Sequence, residues 1–371
     1  FSLWLETMDR HLPLTFLSHK LKVGDSLVGA SLADLETYPL RAWQAQAEHS
    51  LAARSCFEKS SRQLSPLATA AWQPRLPFAS DSTRGSELRT VLARGMEKLQ
   101  RLPVQFPDLK RAHYREQFLD SPARLELKGH LDTWCALWFW PPDQPCEGLL
   151  PDDWYGGRCA LQEQISELAR EYSFFHWELE FPEVFARRRA GFDAVVGNPP
   201  WEVIKGGNRE ANGVPLRALT NWLRGRHEPA GRFQKALMRQ ARETPFVAQG
   251  AGDTNTYKLF VEQGFALCRT GGRLGFIVPA GIYADVGAGE LRQMLVSKGR
   301  WELLYGMDNR RRHFPIDGRF RFAVVITGKG GRTGAIRASF LNSDSEGLNG
   351  DGVAARWVTI DQAGQGPAQN A

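Results

Sequence analysis

The sequence has few cysteines and no pattern that pairs them. Its five, Cys56, Cys135, Cys146, Cys159 and Cys268, are odd in number and contain no C-x-x-C spacing. A disulfide framework and a zinc ribbon are disfavoured, no metal site is expected, and reduced structural thiols in a cytoplasmic protein are the expectation. No run of about 18 apolar residues occurs, so no membrane span is expected. The start carries no signal-peptide pattern. The glycine-rich stretch KGGNREANG does not fit G-x-x-x-x-G-K-[ST], which argues against a nucleotide P-loop and leaves a lid or a plain loop.

What is present is the composition of a globular protein. Of 371 residues, 42% are hydrophobic and 24% charged, enough for a sizeable core, and the length suggests two or three domains. The formal charge of +6 is a mild basic bias, compatible with a nucleic-acid partner but not diagnostic of one.

The texture changes along the chain. Residues 1–35 hold an apolar opening and then LKVGDSLVGASL, read as a short strand and a turn at Gly24 and Asp25. Residues 36–180 carry helical periodicity, scattered prolines and a Trp-rich knot, LDTWCALWFWPPDQP, and read as a mainly helical insertion broken at Pro141 and Pro142. From about 181 to 330 the pattern alternates between strand and helix. FDAVVG is a short apolar run of the kind expected for a parallel strand covered on both faces. In TYKLFVEQGFALCRTGG, Tyr257, Phe260, Val261, Gly264, Phe265 and Cys268 fall on one helix face, with Gly271 as the stop. RLGFIVP, WELLYGM and FRFAVVITG read as strands, and GELRQMLVSKG as a helix with Leu291, Met294 and Leu295 inward. The expected fold is α/β, a doubly wound, mostly parallel sheet with the helical insertion. Residues 331–371 read as the start of a C-terminal or target-recognition region.

The most informative stretch is GFDAVVGNPPW. Two adjacent prolines end a strand, since neither can donate a ladder hydrogen bond. The plainer reading of Asn198, Pro199, Pro200 and Trp201 is a turn whose tryptophan covers core. The sharper reading starts from the carboxyl end of a parallel strand, where ligands bind in such sheets. There the Asn198 amide oxygen and the Pro199 carbonyl could accept both hydrogens of an exocyclic amine. Trp201 offers a flat face for a base, worth roughly 1–3 kcal/mol at comparable stacking sites. Two acceptors draw the amine lone pair out of conjugation, so it can attack an electrophilic methyl group with no protein nucleophile; positioning and electrostatics supply the catalysis.

These residues resemble a known family. Residues 10–30 and 174–327 are similar to the catalytic domain of N6-adenine DNA methyltransferases of the restriction–modification type, Rossmann-like enzymes with a catalytic N-P-P-[FYW] motif. FFHWELEFPEVF resembles the lead-in to that motif. LKVGDSLVG is similar to the family's third motif, which implies that Asp25, with Ser26 beside it, contacts the cofactor adenine. TNTYKLFVEQ resembles the motif whose aromatic packs on that adenine, here Phe260. NRRRHFPIDGRFRF is similar to the eighth motif, which implies that Phe314 contacts the target base. The resemblance thus implies S-adenosylmethionine as cofactor, duplex DNA as partner, a flipped adenine as target, and company with restriction or defence-system subunits. Arg310, Arg311 and Arg312 are then placed to grip phosphates, whereas Arg187, Arg188 and Arg189 read as a solvated helix end. His176, among aromatics, reads as a packed, hydrogen-bonded histidine, and the tryptophans at 134–140 as insertion core.

The sequence departs from the family in three places. No glycine-rich first motif precedes LKVGDSLVG, the chain stops soon after the eighth motif, and residues 36–180 make a long insertion. An internal fragment of a longer protein, binding cofactor weakly or not at all by itself, is the expectation. Two other functions remain open: methylation of another planar nitrogen, in protein glutamine or an RNA base, and a non-catalytic DNA-binding subunit derived from a methyltransferase.

Overall fold

A computed structural model describes residues 17–359, apart from 37, 48–49, 70–82, 142–143, 145, 156–160, 205–245, 251–253 and 345–355. The stretch KGGNREANG and Cys159 lie outside the described residues. The chain forms two compact units, one running to Arg188 and one starting at Arg189.

The first unit is helical. Its helices include α1 (Leu40–Ala47), α2 (Leu51–Thr69), α3 (Thr83–Arg101), α4 (Pro122–Phe139) and α5 (Gln162–Glu171). Pro122 opens α4 at its first turn, where a missing N–H costs nothing. Leu127, Leu131, Trp134, Cys135 and Trp138 then recur at helical spacing and are all buried. The helix ends at Trp140, which takes an extended φ of −61° and ψ of 132°, the conformation that a following proline imposes. Each fully buried large side chain here contributes about 1.5–3 kcal/mol, so the Trp-rich knot is core.

His176 is 1% exposed. Its Nδ1 accepts Ala30 N–H at 3.0 Å and its Nε2 faces Asp132 Oδ1 at 2.9 Å, which assigns the proton to Nε2. Burial pushes the Asp132 carboxyl up, but the bonds and charges of His176 and Lys128 outweigh it and hold it below the usual range. This is the packed histidine that the sequence suggests.

Two expectations fail in this unit. Residues 21–24 form no strand: Val23 is fully exposed, and only Asp25 makes a single parallel bridge, to Phe174. Two apolar residues cannot hold a strand without a partner along their length. The absence of a disulfide is also corrected, because Cys56 in α2 is bonded to Cys146, 90 residues away. Spacing in sequence carries no signal for a pairing across such a distance. Cys135 and Cys268 are buried thiols outside that disulfide.

The second unit is a sheet with helices. Its strands are β1 (Phe192–Gly197), β2 (Val203–Ile204), β3 (Thr254–Asn255), β4 (Cys268–Pro279), β5 (Gly299–Asp308), β6 (Arg321–Lys329), β7 (Ala335–Asn342) and β8 (Arg356–Thr359). β2 and β3 make a small antiparallel ladder, and the others form one sheet in the order β1-β4-β6-β5-β7-β8. β1 pairs parallel with β4 and β5 with β7, whereas β6 runs against both β4 and β5. Thus β1, β4, β5 and β7 share one direction, and the reversed β6 sits in their midst. The sheet is mostly parallel in strand direction, although three of its five pairings are antiparallel.

Two helices of this unit, α6 (Thr256–Leu267) and α7 (Gly289–Lys298), pack on one face of the sheet. Tyr257, Val261 and Phe265 of α6 and Leu291 and Leu295 of α7 meet Phe276 and Val278 of β4 and Ala323 and Val325 of β6. The alternate residues Ile277, Phe322, Val324 and Ile326 point to the other face, as a period of two requires. Gly264 allows the close approach of α6: a Cβ there would lie 2.8 Å from Leu274 Cδ1. α6 stops at Leu267 rather than near Gly271, whose φ of +83° instead serves the irregular start of β4. Among the described residues β1 lies at the edge of the sheet, and with Val196 82% exposed it is not a strand covered on both faces. Its apolar run alone does not tell an edge from a centre.

Candidate active site at the carboxyl ends of the strands

Three segments of the second unit meet where β1, β4 and β5 end: the corner Asn198–Trp201, the N-terminus of α6, and the loop after β5. Parallel strands end there with their carbonyls outward, the usual position of ligands in α/β sheets.

At the corner, Asn198 and Pro200 are exposed and Pro199 is buried. The Asn198 amide makes no hydrogen bond with another described residue. The backbone behind it is held fast. Thr256 Oγ1 lies 2.7 Å from Pro200 O and receives Glu202 N–H at 2.9 Å, while Thr256 N–H reaches Glu202 O at 2.9 Å. Asn255 caps α6 by accepting Tyr257 N–H at 3.2 Å.

Trp201 is partly buried, and its Nε1–H points at Ile277 O in β4, 3.4 Å away. Its ring lies nearly parallel to Phe320, at 10° and 5.9 Å between centroids, and edge-on to Phe314 at 5.3 Å. Phe322 completes the group, 6.1 Å from Trp201 and 5.0 Å from Phe314. The sequence singled out Trp201 and Phe314 as separate contacts, and the structure brings them together. Phe320 and Phe322 were missed. Their F-x-F spacing at the start of a strand was the available signal, and Phe320 is 43% exposed at the open side of the cluster.

The loop after β5 hangs on one side chain. Asn309 is fully buried; its Nδ2 donates to the carbonyls of Phe314 and Ile316 at 3.0 Å and of Asp317 at 3.2 Å, and its Oδ1 accepts Phe314 N–H at 3.0 Å. Arg312 takes φ +57°, a left-handed conformation that costs a non-glycine residue about 1 kcal/mol and is held by this clamp. Replacing Asn309 with Ala leaves those carbonyls and the Phe314 amide without their partner. The expected loss is about 1–3 kcal/mol of stability, with increased protease cleavage at Arg310–Arg312. Equal stability and unchanged cleavage in the variant would contradict the clamp.

Arg310, Arg311 and Arg312 are exposed but not idle. Arg310 lies 3.5 Å from Asp308, Arg311 lies 3.3 Å from Asp344, and Arg312 donates to Ile316 O at 2.8 Å. Phe260 lies one turn into α6 and packs, partly buried, against the core under the sheet. Asp25 and Ser26 belong to the first unit. Asp25 Oδ1 accepts Leu27 N–H at 3.0 Å, and burial raises its carboxyl above the ordinary value against the pull of that bond. Ser26 O accepts Trp177 Nε1–H at 3.0 Å. Arg187, Arg188 and Arg189 are exposed beyond a short helical turn, as expected of a solvated end.

The corner and part of its aromatic cluster fall in a stretch where this chain resembles known proteins. Residues 148–314 match the Eco57I restriction-modification methylase family. That span contains Asn198–Trp201, Phe260 and Phe314. A Type II methyltransferase of Thermus thermophilus, M.TthHB8I, is 31% identical over 114 residues, covering 31% of this chain and 22% of the relative. The chain thus spans about a fifth of that relative's length. Among solved structures, the M protein of the Type I restriction enzyme EcoKI aligns over 40% of this chain and 25% of its own, at 14% identity and a TM-score of 0.26. The type IIG restriction endonuclease BpuSI aligns over 77% of this chain and 41% of its own, at 14% identity and a TM-score of 0.28. No described helix is long and apolar enough to cross a membrane, and the described residues contain no cluster of metal-binding side chains.

Proposed function

We propose that the complete protein transfers a methyl group from S-adenosylmethionine to N6 of an adenine flipped out of duplex DNA. One observation carries this reading: an exposed asparagine amide at the carboxyl end of β1, adjoining an aromatic cluster with an open face. The cofactor supplies an electrophilic methyl on a sulfonium. Asn198 Oδ1 and Pro199 O accept the two amine hydrogens, which concentrates electron density on the nitrogen; the N–C bond would form as the sulfonium S–C bond breaks to leave a neutral thioether, and the amine would release one proton to solvent. Trp201, Phe314 and Phe320 offer the surface against which an extruded base is held. Asp25, Ser26 and Phe260 are assigned to the cofactor. The family match supports a role in restriction–modification or phage defence beside other subunits in the cytoplasm.

The arginines give a measurable expectation. Three new phosphate contacts would produce a log–log salt slope of about −2.7. Arg310 and Arg311 already face carboxylates, so the substitution Arg312→Ala is expected to flatten the slope more than either neighbour's.

The deciding assay incubates the complete protein, labelled cofactor and duplex DNA, and identifies the product nucleoside by mass spectrometry. N6-methyl-2′-deoxyadenosine supports the reading. Methylated cytosine, or label found only in protein or RNA, overturns it.

A further inference from the structure

We infer that Thr256 is the positioning residue that latches the target-amine corner to the helix assigned to the cofactor, an inference that rests on the reading above. Thr256 starts α6, one turn before Phe260. Its hydroxyl has a single hydrogen, which Pro200 O takes at 2.7 Å with Glu202 O as a longer second acceptor at 3.1 Å. The same oxygen receives Glu202 N–H at 2.9 Å, and Thr256 N–H closes the ring on Glu202 O. The ladder of β2 and β3 continues the contact, pairing Val203 with Asn255 and Ile204 with Thr254. One side chain therefore bonds both sides of Trp201, at Pro200 and at Glu202.

This arrangement bears on the reaction because the corner has little other hydrogen-bonded support beside the packing of Trp201 on its aromatic neighbours. Pro199 and Pro200 have no N–H to anchor the turn, Asn198 makes no hydrogen bond with another described residue, and the Trp201 indole N–H meets Ile277 O at a long 3.4 Å. The position of the Asn198 and Pro199 oxygens relative to Phe260 is set through Thr256. A displacement of about 1 Å between reacting groups can cost a factor of 10² in rate. Thr256 touches neither the amine nor the methyl donor, so it acts by placement.

The test uses the complete protein with Thr256→Val, which keeps shape and loses the hydroxyl, and Thr256→Ser, which keeps the hydroxyl. Single-turnover methylation and steady-state kinetics on duplex DNA are compared with wild type and Asn198→Ala. Hydrogen exchange is followed at Glu202, whose amide donates to the threonine oxygen. The expected result is a fall in kcat of about 10- to 100-fold for the valine variant, with KM for DNA within about threefold and faster exchange at Glu202. The serine variant should stay within about threefold of wild type. A valine variant with wild-type kcat, or a serine variant as impaired as the valine one, overturns the latch and leaves the proposed function standing. A wild-type protein that methylates no DNA overturns the function instead. The latch is then judged on exchange alone: faster exchange in the valine variant supports it and unchanged exchange overturns it.

Discussion

Replacing Asn198 with Ala is expected to lower kcat by about 10³-fold or more while leaving the fold as it is. The two halves of this expectation have separate physical grounds. The side chain is exposed and makes no hydrogen bond with another described residue, and surface substitutions of that kind change stability by only about 0.5 kcal/mol. Its proposed work is confined to the reacting amine. Removing one preorganised hydrogen-bonding group from a developing charge costs roughly 10²–10³ in kcat. Asn198 is asked in addition to orient the lone pair, which places the loss at the upper end. Asn198→Asp discriminates further: a carboxylate retains an acceptor at this point, so the aspartate variant should exceed the alanine variant by at least about tenfold. The measurement is turnover on duplex DNA together with a thermal melt of each variant. Wild-type turnover in Asn198→Ala would eliminate the amide as an acceptor for the amine. A melt lowered by many degrees would instead mean that the side chain holds structure.

How much of this could be read beforehand depends on the range of the interactions. β1, α6 and α7 were legible because their signals are local: apolar runs and helical spacing lie within a dozen residues of sequence. The corner was legible as the end of a strand, because two adjacent prolines cannot continue a ladder. The hydroxyl of Thr256 was not, since its partners lie 54 and 56 positions away. The clamp of Asn309 is local, but an asparagine in a polar loop looks the same whether or not it is buried. The disulfide of Cys56 and Cys146 and the edge position of β1 belong to the tertiary arrangement, which spacing does not encode. In the first unit, LKVGDSLVGASL was read as a short strand followed by a turn at Gly24 and Asp25. The structure retains only the Asp25 bridge there, and Lys22 turns inward to a different task.

That task supports the second large effect. Glu180→Gln is expected to destabilise the first unit by about 3 kcal/mol. Lys22 Nζ lies 3.0 Å from Glu180 Oε2, and Arg124 Nη2 donates to Oε1 at 2.6 Å. The three side chains are 8%, 13% and 16% exposed for Lys22, Arg124 and Glu180, so water screens them little. Lys22 also donates to the Tyr114 hydroxyl at 2.6 Å and lies over the Phe118 ring at 4.6 Å. Burial pushes the Glu180 carboxyl up, but the charges and bonds of Arg124 and Lys22 outweigh it and hold it below the usual 4.5. A carboxylate depressed in the folded state adds stability that is complete above its unfolded value and lost as pH falls through the folded one. Glutamine keeps the volume and one acceptor but leaves two cations facing each other in a site poor in water. Removing one partner of such a buried pair typically costs about 3–5 kcal/mol, and the remaining acceptor places the loss at the lower end. Urea unfolding at neutral pH reads the loss directly. On acidification below about pH 4.5, wild type should lose stability and approach the variant, whose own curve stays flatter there. Adding Lys22→Met to Glu180→Gln should recover part of the loss, since it removes one of the stranded charges. A cost under about 1 kcal/mol would mean that the triad is effectively solvated, and that its geometry contributes no more than a surface ion pair.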